Sequence, residues 1–156
     1  MTSETVRILL VDDDAVDILA IKRSFQKLRI ANPLIEAQNG VEALEHLRGD
    51  NGREKIAAPC LIVVDLNMPR MGGIEFLDEL RRDLSLRHHL VFVMTTSAAE
   101  EDRIRAYKHN VAGYILKERW GENFIDAISM LEHYWRVIEF PLKPIGTLDQ
   151  LGEKVA

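Results

Sequence analysis

Short apolar runs alternate along this chain with longer segments in which apolar residues recur at every third or fourth position. The apolar runs predict five strands, over Arg7–Val11, Leu34–Ala37, Leu61–Val64, Val91–Met94 and Gly113–Leu116. Each strand is followed by a segment with the period of an amphipathic helix. Strict alternation of strand and helix favours a parallel sheet with right-handed crossovers and helices on both faces. We therefore predict an α/β protein with a doubly wound, five-stranded parallel sheet.

The apolar stripes of the first four helices identify the side chains expected in the core. They are Ile18, Ile21, Phe25 and Leu28 in the first helix, Val41, Leu44 and Leu47 in the second, Leu77, Leu80 and Leu84 in the third, and Ile104 and Tyr107 in the fourth. His88 and His89 precede the fourth strand in a polar turn without cysteine or carboxylate at metal-ligand spacing, so we expect them at the surface.

The fifth helix is apolar on more than one face. One stripe suffices to pack on the sheet, and a second stripe needs another partner. Two explanations stay open: a broad core face shielded by the chain's own tail, and a homodimer through the fifth helix and the tail. Prolines and a glycine end this helix, and the segment after it has too few apolar residues for a second core. The sequence therefore predicts a domain over residues 5–140 and a tail over 141–156. The candidate dimer residues are Met130, Tyr134, Trp135, Val137 and Phe140.

Composition and charge exclude several classes of protein. The 156 residues carry a net charge of −5 and no basic cluster, which argues against a nucleic-acid partner. No apolar stretch approaches the length of a membrane-spanning helix, and the N-terminus lacks signal-peptide features, so we expect no membrane partner. The single cysteine, Cys60, lies inside an apolar strand and predicts a buried thiol in a reducing compartment. We therefore expect a cytoplasmic location.

Carboxylates follow two of the predicted strands. Asp12 and Asp13 end the first apolar run and Asp65 ends the third, and the carboxyl ends of parallel strands form the ligand-binding edge of such sheets. Crowded carboxylates require a cation, and Mg²⁺ prefers carboxylate, carbonyl and water oxygens. We predict that Asp13 and Asp65 bind it directly, Asp12 through water, and Asn67 through its backbone carbonyl. Asp14 or Asp17 has an ordinary alternative role as a helix cap.

A hydroxyl and an ammonium are expected at the same edge. Ser97 to Glu100 matches a capping box, which assigns Ser97 to the N-cap of the fourth helix and leaves Thr95 free to donate to a bound oxyanion. Lys117 ends the fifth strand, where a phosphate contact or an ion pair with the acidic cluster is expected. A carboxylate surrounded by a metal, a hydroxyl and an ammonium suits nucleophilic attack on a phosphoryl group, with Asp65 as the acceptor.

These residues resemble the receiver domain of two-component response regulators. The resemblance is carried by Val11-Asp12-Asp13, by Asp65 within Val64-Asp65-Leu66-Asn67-Met68-Pro69-Arg70-Met71-Gly72-Gly73, and by Thr95 and Lys117, and it covers residues 5 to 138. The long loop after the second helix, Thr95-Thr96-Ser97, and Tyr134-Trp135 followed by Phe140-Pro141 are similar to the single-domain regulators of bacterial and cyanobacterial phytochromes.

The resemblance implies a flavodoxin-like receiver fold with strand order 2-1-3-4-5 and a phosphoacceptor rather than an enzyme. Asp65 would take a phosphoryl group from a sensor histidine kinase, here a bacteriophytochrome, with Mg²⁺ as the cofactor, Mn²⁺ as an alternative and Ca²⁺ as a substitute in crystals. Thr95 and Lys117 would contact the phosphoryl oxygens, and Thr95 and Tyr114 would form the switch. Tyr114 is equally explained as a half-buried strand residue. Glu118 stands where most receivers have proline, which relaxes the turn and adds a negative charge near the site.

Two other functions remain as alternatives. The first is an interaction or dimerisation module with a weakly used receiver site. The second is a Mg²⁺-dependent phosphohydrolase, which needs a second carboxylate near the nucleophile, commonly two residues on, where this chain has Asn67.

Overall fold

The structure is a computed structural model that describes residues 5–120 and 124–144. Five parallel strands form one sheet in the order β2-β1-β3-β4-β5, which confirms the predicted doubly wound fold. The strands are β1 Arg7–Val11, β2 Leu34–Ala37, β3 Cys60–Val64, β4 Leu90–Thr95 and β5 Gly113–Leu116. The helices are α1 Ala15–Lys27, α2 Gly40–Arg48, α3 Gly73–Arg82, α4 Glu100–Lys108 and α5 Ile125–Val137, with a 3₁₀ turn over Lys117–Trp120.

Two apolar layers, one on each face of the sheet, form the core. On one face, alternate residues of β1 and β3 such as Leu9 and Ile62 pack with α2 and α3. On the other face, their neighbours Ile8 and Leu61 pack with α1 and α5. Because β3 is buried on both faces, its five residues are all apolar or thiol-bearing, which explains the continuous apolar run in the sequence.

The register of the central strands places their carboxyl ends side by side. Val11 of β1 pairs with Val64 of β3, and Val64 pairs with Val93 of β4. The residues that directly follow β1 and β3, Asp12 and Asp65, therefore leave the sheet at the same level. Sequence and register together define one edge at which the polar residues collect.

The predicted stripes of the third and fourth helices are partly wrong. Helix α3 ends at Arg82, so Leu84 lies beyond it and is 64% exposed. In α4, Ile104 and Tyr107 are each 48% exposed, and the helix contributes the small side chain of Ala106 to the core instead. Helix α4 thus packs on the sheet through a narrow contact, which a count of large apolar residues could not reveal.

Helix α5 is amphipathic in the way the sequence predicts, with one exception. Trp135 is buried against Phe25 of α1, with 6.1 Å between ring centroids, so its assignment to an exposed interface is corrected: it is a core residue. Met130 and Val137 are exposed, while Tyr134 and Phe140 are half-buried. An open groove of about 870 Å³ runs beside the C-terminal end of α5 and the start of β1. None of the helices in the described ranges is long and apolar enough to cross a membrane.

Candidate functional site

Three aspartates meet at the carboxyl edge of the sheet. Carboxylate oxygens of Asp12, Asp13 and Asp65 lie within 4.8 Å of one another. Asp12 and Asp65 are buried, and their backbone amides donate to Ala37 and Val11 across the strand ends. Asp13 is exposed, which leaves the cluster open to solvent on one side. A group of hard oxygen donors with a solvent-facing side fits Mg²⁺, which binds few carboxylates and keeps several waters.

Asn67 follows Asp65 in an exposed turn. Its backbone N–H donates to Oδ1 of Asp65 over 3.4 Å, a long contact that ties the turn to the carboxylate. The Asn67 carbonyl stays a predicted metal ligand. The chain then returns to start α3 at Gly73, where a side chain would collide with the Asp65 carbonyl oxygen and the Leu66 Cα. A glycine is required at this position because the backbone of α3 approaches the acceptor residue so closely.

Lys117 brings a buried positive charge to the aspartates. Its Nζ lies 2.8 Å from Asp12, 2.7 Å from Asp17 and 3.1 Å from Asp65, measured to Oδ2 in each case. Burial by itself would lower the pKa of the ammonium, but the carboxylates reverse this and raise the pKa above its usual value. Burial raises the pKa of Asp12, with its Lys117 contact acting in the opposite direction. The site therefore holds a permanently charged lysine.

The predicted hydroxyl, Thr95, is fully buried at the end of β4 and accepts a hydrogen bond from the Ser97 amide over 3.3 Å. We predicted that Ser97 caps α4, and this is wrong: the N-cap residue is Ala99. The Ser97 hydroxyl donates to Asp102, in the first turn of the helix, over 2.6 Å. The capping-box prediction is wrong because α4 begins only at Glu100, so Ser97 lies two residues before the N-cap position, and its hydroxyl oxygen accepts from the Ala99 amide over 3.4 Å.

Tyr114 lies on β5 and is half-buried. Its hydroxyl donates to the Ser97 carbonyl over 2.8 Å, and the Arg103 guanidinium lies 5.8 Å from its ring centroid. Burial raises the pKa of the Tyr114 hydroxyl. Ser97 thus contacts both predicted switch residues, since its amide bonds to Thr95 and its carbonyl to Tyr114.

Sequence reasoning missed two carboxylates that bond to predicted site residues: Asp17 accepts from Lys117, and Asp102 accepts from Ser97. Asp17 was considered only as a helix cap, a role that Asp14 fills by accepting from the amides of Val16 and Asp17. The spacing Asp14-x-x-Asp17 held a usable signal. Because Asp14 caps α1 directly after β1, Asp17 must lie in the first helical turn, next to the strand ends. Asp102 had no comparable signal, since its contact depends on how α4 sits on the sheet.

Glu118 is exposed and belongs to the 3₁₀ turn that begins at Lys117. The chain therefore turns away from the site directly after the lysine without a proline. Residues 145–156, most of the predicted tail, lie outside the described residues. Of the candidate dimer residues, Met130 and Val137 are exposed, Tyr134 and Phe140 are half-buried, and Trp135 is in the core.

The chain is similar in sequence to a known family of proteins. Residues 8–129 match the family described as "Response regulator receiver domain". The chain is 31% identical over 128 residues to response regulator Rcp1 of the cyanobacterium Synechocystis, which covers 82% of this chain and 87% of Rcp1. The acidic cluster of Asp12, Asp13 and Asp65 lies inside the matched range, as do Thr95 and Lys117.

Two solved structures show the same architecture. The Mn²⁺-bound form of Rcp1 has a TM-score of 0.75 at 28% identity and aligns with 88% of this chain and 99% of its own. The phosphorylated cyanobacterial phytochrome response regulator RcpA has a TM-score of 0.79 at 28% identity, over 89% and 99% of the two chains. Fold, acidic cluster and sequence agree, and the chain belongs to the receiver-domain family of two-component response regulators.

Proposed function

We propose that Asp65 accepts a phosphoryl group from a sensor histidine kinase, in a Mg²⁺-dependent reaction that switches a surface for a partner or a second copy of the chain. The observation that carries this proposal is the setting of the Asp65 carboxylate. It lies within 4.8 Å of the Asp12 and Asp13 carboxylate oxygens and 3.1 Å from the Lys117 ammonium. A buried carboxylate with a metal-binding cluster on one side and a fixed cation on the other suits phosphoryl transfer.

The side chains have separate roles in that transfer. A carboxylate oxygen of Asp65 forms the new O–P bond while the P–N bond of the phosphohistidine breaks, and the released imidazole keeps the electron pair of that bond. The Lys117 ammonium balances negative charge on the phosphoryl oxygens, and the Thr95 hydroxyl donates to one of them. Asp12, Asp13, Asp65 and the Asn67 carbonyl would hold Mg²⁺, which supplies the remaining charge neutralisation when bound.

Labelling experiments test the acceptor. The Asp65→Asn variant keeps the shape of the side chain but lacks the nucleophilic carboxylate, so it should take no radiolabel from a phosphorylated kinase or from acetyl phosphate. Asp50→Asn, in the exposed loop after α2, removes the same charge far along the chain and should label like the wild type. Undiminished labelling of Asp65→Asn would refute the acceptor assignment.

A phosphoacceptor should not turn over external phosphate esters. Asn67 stands where a hydrolase of this mechanism would place its acid-base carboxylate, and an amide cannot exchange protons in that role. We therefore expect at most one phosphate per protein molecule in each labelling cycle. Sustained multiple-turnover release from an ester such as p-nitrophenyl phosphate would contradict this.

We propose a bacterial phytochrome as the kinase. The likeness to Rcp1 and to the phytochrome response regulator RcpA supports this partner at 28–31% identity. Transfer from a light-regulated phytochrome kinase should be faster than transfer from an unrelated sensor kinase at equal concentration. Equal rates would remove the support for a phytochrome partner.

The switched surface proposed here is a homodimer face on α5 and the segment that follows it. Met130, Val137 and Leu142 are exposed apolar residues at 42%, 78% and 53%, and Leu142 lines the groove beside β1. Mass measured by light scattering with and without acetyl phosphate tests it, and Val137→Glu should shift the mass towards the monomer. A monomeric wild type under both conditions would require a different partner for this face.

A further inference from the structure

The ammonium of Lys117 has no hydrogen-bonding capacity left in this structure. A lysine ammonium carries three N–H donors, and three carboxylate oxygens lie within 3.1 Å of it. Asp12 and Asp65 belong to the acidic cluster that suits a metal ion. The third carboxylate, Asp17, does not belong to that cluster, and its contact of 2.7 Å is the shortest of the three.

Asp17 is held in place by the start of α1. Asp14 caps the helix and accepts from the Asp17 amide over 3.3 Å, which fixes the backbone from which the Asp17 side chain reaches Lys117. The Asp17 side chain is 19% exposed, compared with 2% for Asp12 and 9% for Asp65. Among the three acceptors, Asp17 is therefore the one that water rehydrates most readily when the ammonium leaves it.

We propose that Asp17 is a positioning residue that acts through Lys117: it gives the ammonium a counter-charge outside the metal-binding cluster. This inference rests on the proposed function, because it concerns the same lysine and the same cation. Without Asp17, Lys117 is neutralised only by Asp12 and Asp65, the two carboxylates that a divalent ion also needs. With Asp17 present, those two carboxylates stay available to the ion while the ammonium remains paired.

The same arrangement decides which contact Lys117 gives up for a phosphoryl oxygen. A saturated ammonium can form a new contact only by releasing an old one. Release of the buried Asp12 would leave a desolvated carboxylate unpaired, which is costly, whereas the partly exposed Asp17 regains water. Between these two carboxylates, Lys117 thus gives up Asp17 and keeps Asp12. Its 3.1 Å contact with Asp65 differs from both, because Asp65 itself carries the phosphoryl group after the transfer.

Metal affinity of the unphosphorylated protein tests this without any measurement of activity. Mn²⁺ binding is followed by the paramagnetic resonance of the free ion for the wild type, Asp17→Asn, Asp17→Glu and Asp14→Asn. Asp17→Asn should weaken Mn²⁺ binding roughly fivefold, the effect of one partly screened charge pair. Asp17→Glu restores a carboxylate and should recover affinity to within about twofold of the wild type.

Asp14→Asn is the matched control for charge. It removes a carboxylate from the same helix end, keeps the cap because asparagine caps as well as aspartate, and makes no contact with Lys117. Its affinity should stay within about twofold of the wild type. Equal weakening by Asp14→Asn and Asp17→Asn would show a general charge effect and overturn the proposal.

The Lys117→Met background tests whether Asp17 changes Mn²⁺ affinity through the lysine. If Asp17 acts through the lysine, adding Asp17→Asn to Lys117→Met should change Mn²⁺ affinity by less than about twofold. A full effect in that background, or none in the wild type, would overturn the proposal. Failure of the proposed function looks different: in that case wild-type protein binds Mn²⁺ with the expected Asp17 dependence but Asp65 takes no label.

Discussion

His89 gives the protein a built-in sensitivity to acid that can be calculated from the structure. The side chain precedes β4, is only 7% exposed, and stacks on His88 with 4.3 Å between ring centroids. Burial lowers its pKa to about 3, helped by the neighbouring charges of His88, Arg81 and Lys55. The folded protein therefore keeps His89 neutral at pH values where the unfolded chain protonates it.

The direction of the pH effect follows from this difference. Between pH 6.5, the usual histidine value, and pH 3, the unfolded state binds one more proton than the folded state, so stability falls as pH falls. Each pH unit in this window changes the free energy of unfolding by about 1.4 kcal/mol per such group. His89 alone should lower stability by about 2 kcal/mol at pH 5 and by nothing above pH 7.

Urea unfolding followed by circular dichroism at pH 7, 6 and 5 measures this. The wild type should lose stability most steeply between pH 6 and 5. His89→Gln should lose about 2 kcal/mol less than the wild type between pH 7 and 5, of which about 1 kcal/mol falls between pH 6 and 5, whatever its stability at pH 7. His133→Gln, which removes an exposed histidine from α5, is the matched control and should follow the wild type. Parallel curves for His89→Gln and the wild type would refute the reasoning.

Two further predictions concern residues that hold loops in place. Arg81 donates to the backbone carbonyls of Arg87, His89, His109 and Asn110. Arg81→Met removes these bonds and should lower the free energy of unfolding, measured in urea, by about 2–4 kcal/mol. A loss below about 1 kcal/mol would contradict the role assigned to these bonds. Gly73→Ala should displace the Asp65 backbone and slow labelling by acetyl phosphate at least about tenfold. Gly52→Ala strains a turn with φ of 77° in the loop after α2, where no atom meets the added methyl group, so it should lower stability without slowing labelling. Normal labelling of Gly73→Ala would show that the loop absorbs the added methyl group.

The sheet could be predicted from sequence because β1, β3 and β4 are buried on both faces. Apart from Arg7 at the start of β1 and Thr95 at the end of β4, their residues are all apolar or thiol-bearing, so the strands stand out as continuous runs, and the polar residues at their carboxyl ends mark the site edge. Asp12, Asp13 and Asp65 meet in space for this reason, and Lys117 reaches them from the end of the fifth strand. Local pattern and global fold agree at these positions.

Sequence reasoning failed where a side chain had more than one acceptable neighbour. Ser97 matched a helix cap, yet α4 begins only at Glu100, and where this helix begins depends on how it is placed on the sheet. His89 followed a polar turn and was expected at the surface, yet the turn folds it inwards beside His88. Trp135 was expected at a dimer interface, yet it is buried beside the ring of Phe25 on α1, a contact between two helices that depends on the tertiary fold.

Because β1 and β3 pair in register, the direction of the Asp65 side chain depends on whether the number of residues in β3 is odd or even. Successive residues of a strand point to opposite faces and advance about 3.3 Å each. Deleting a single residue from Cys60–Val64 would thus turn the acceptor carboxylate away from Lys117, whereas deleting two would restore its facing but shorten the strand by about 7 Å. The chemistry at this edge therefore depends on the number of residues in a buried strand as strictly as on their identity.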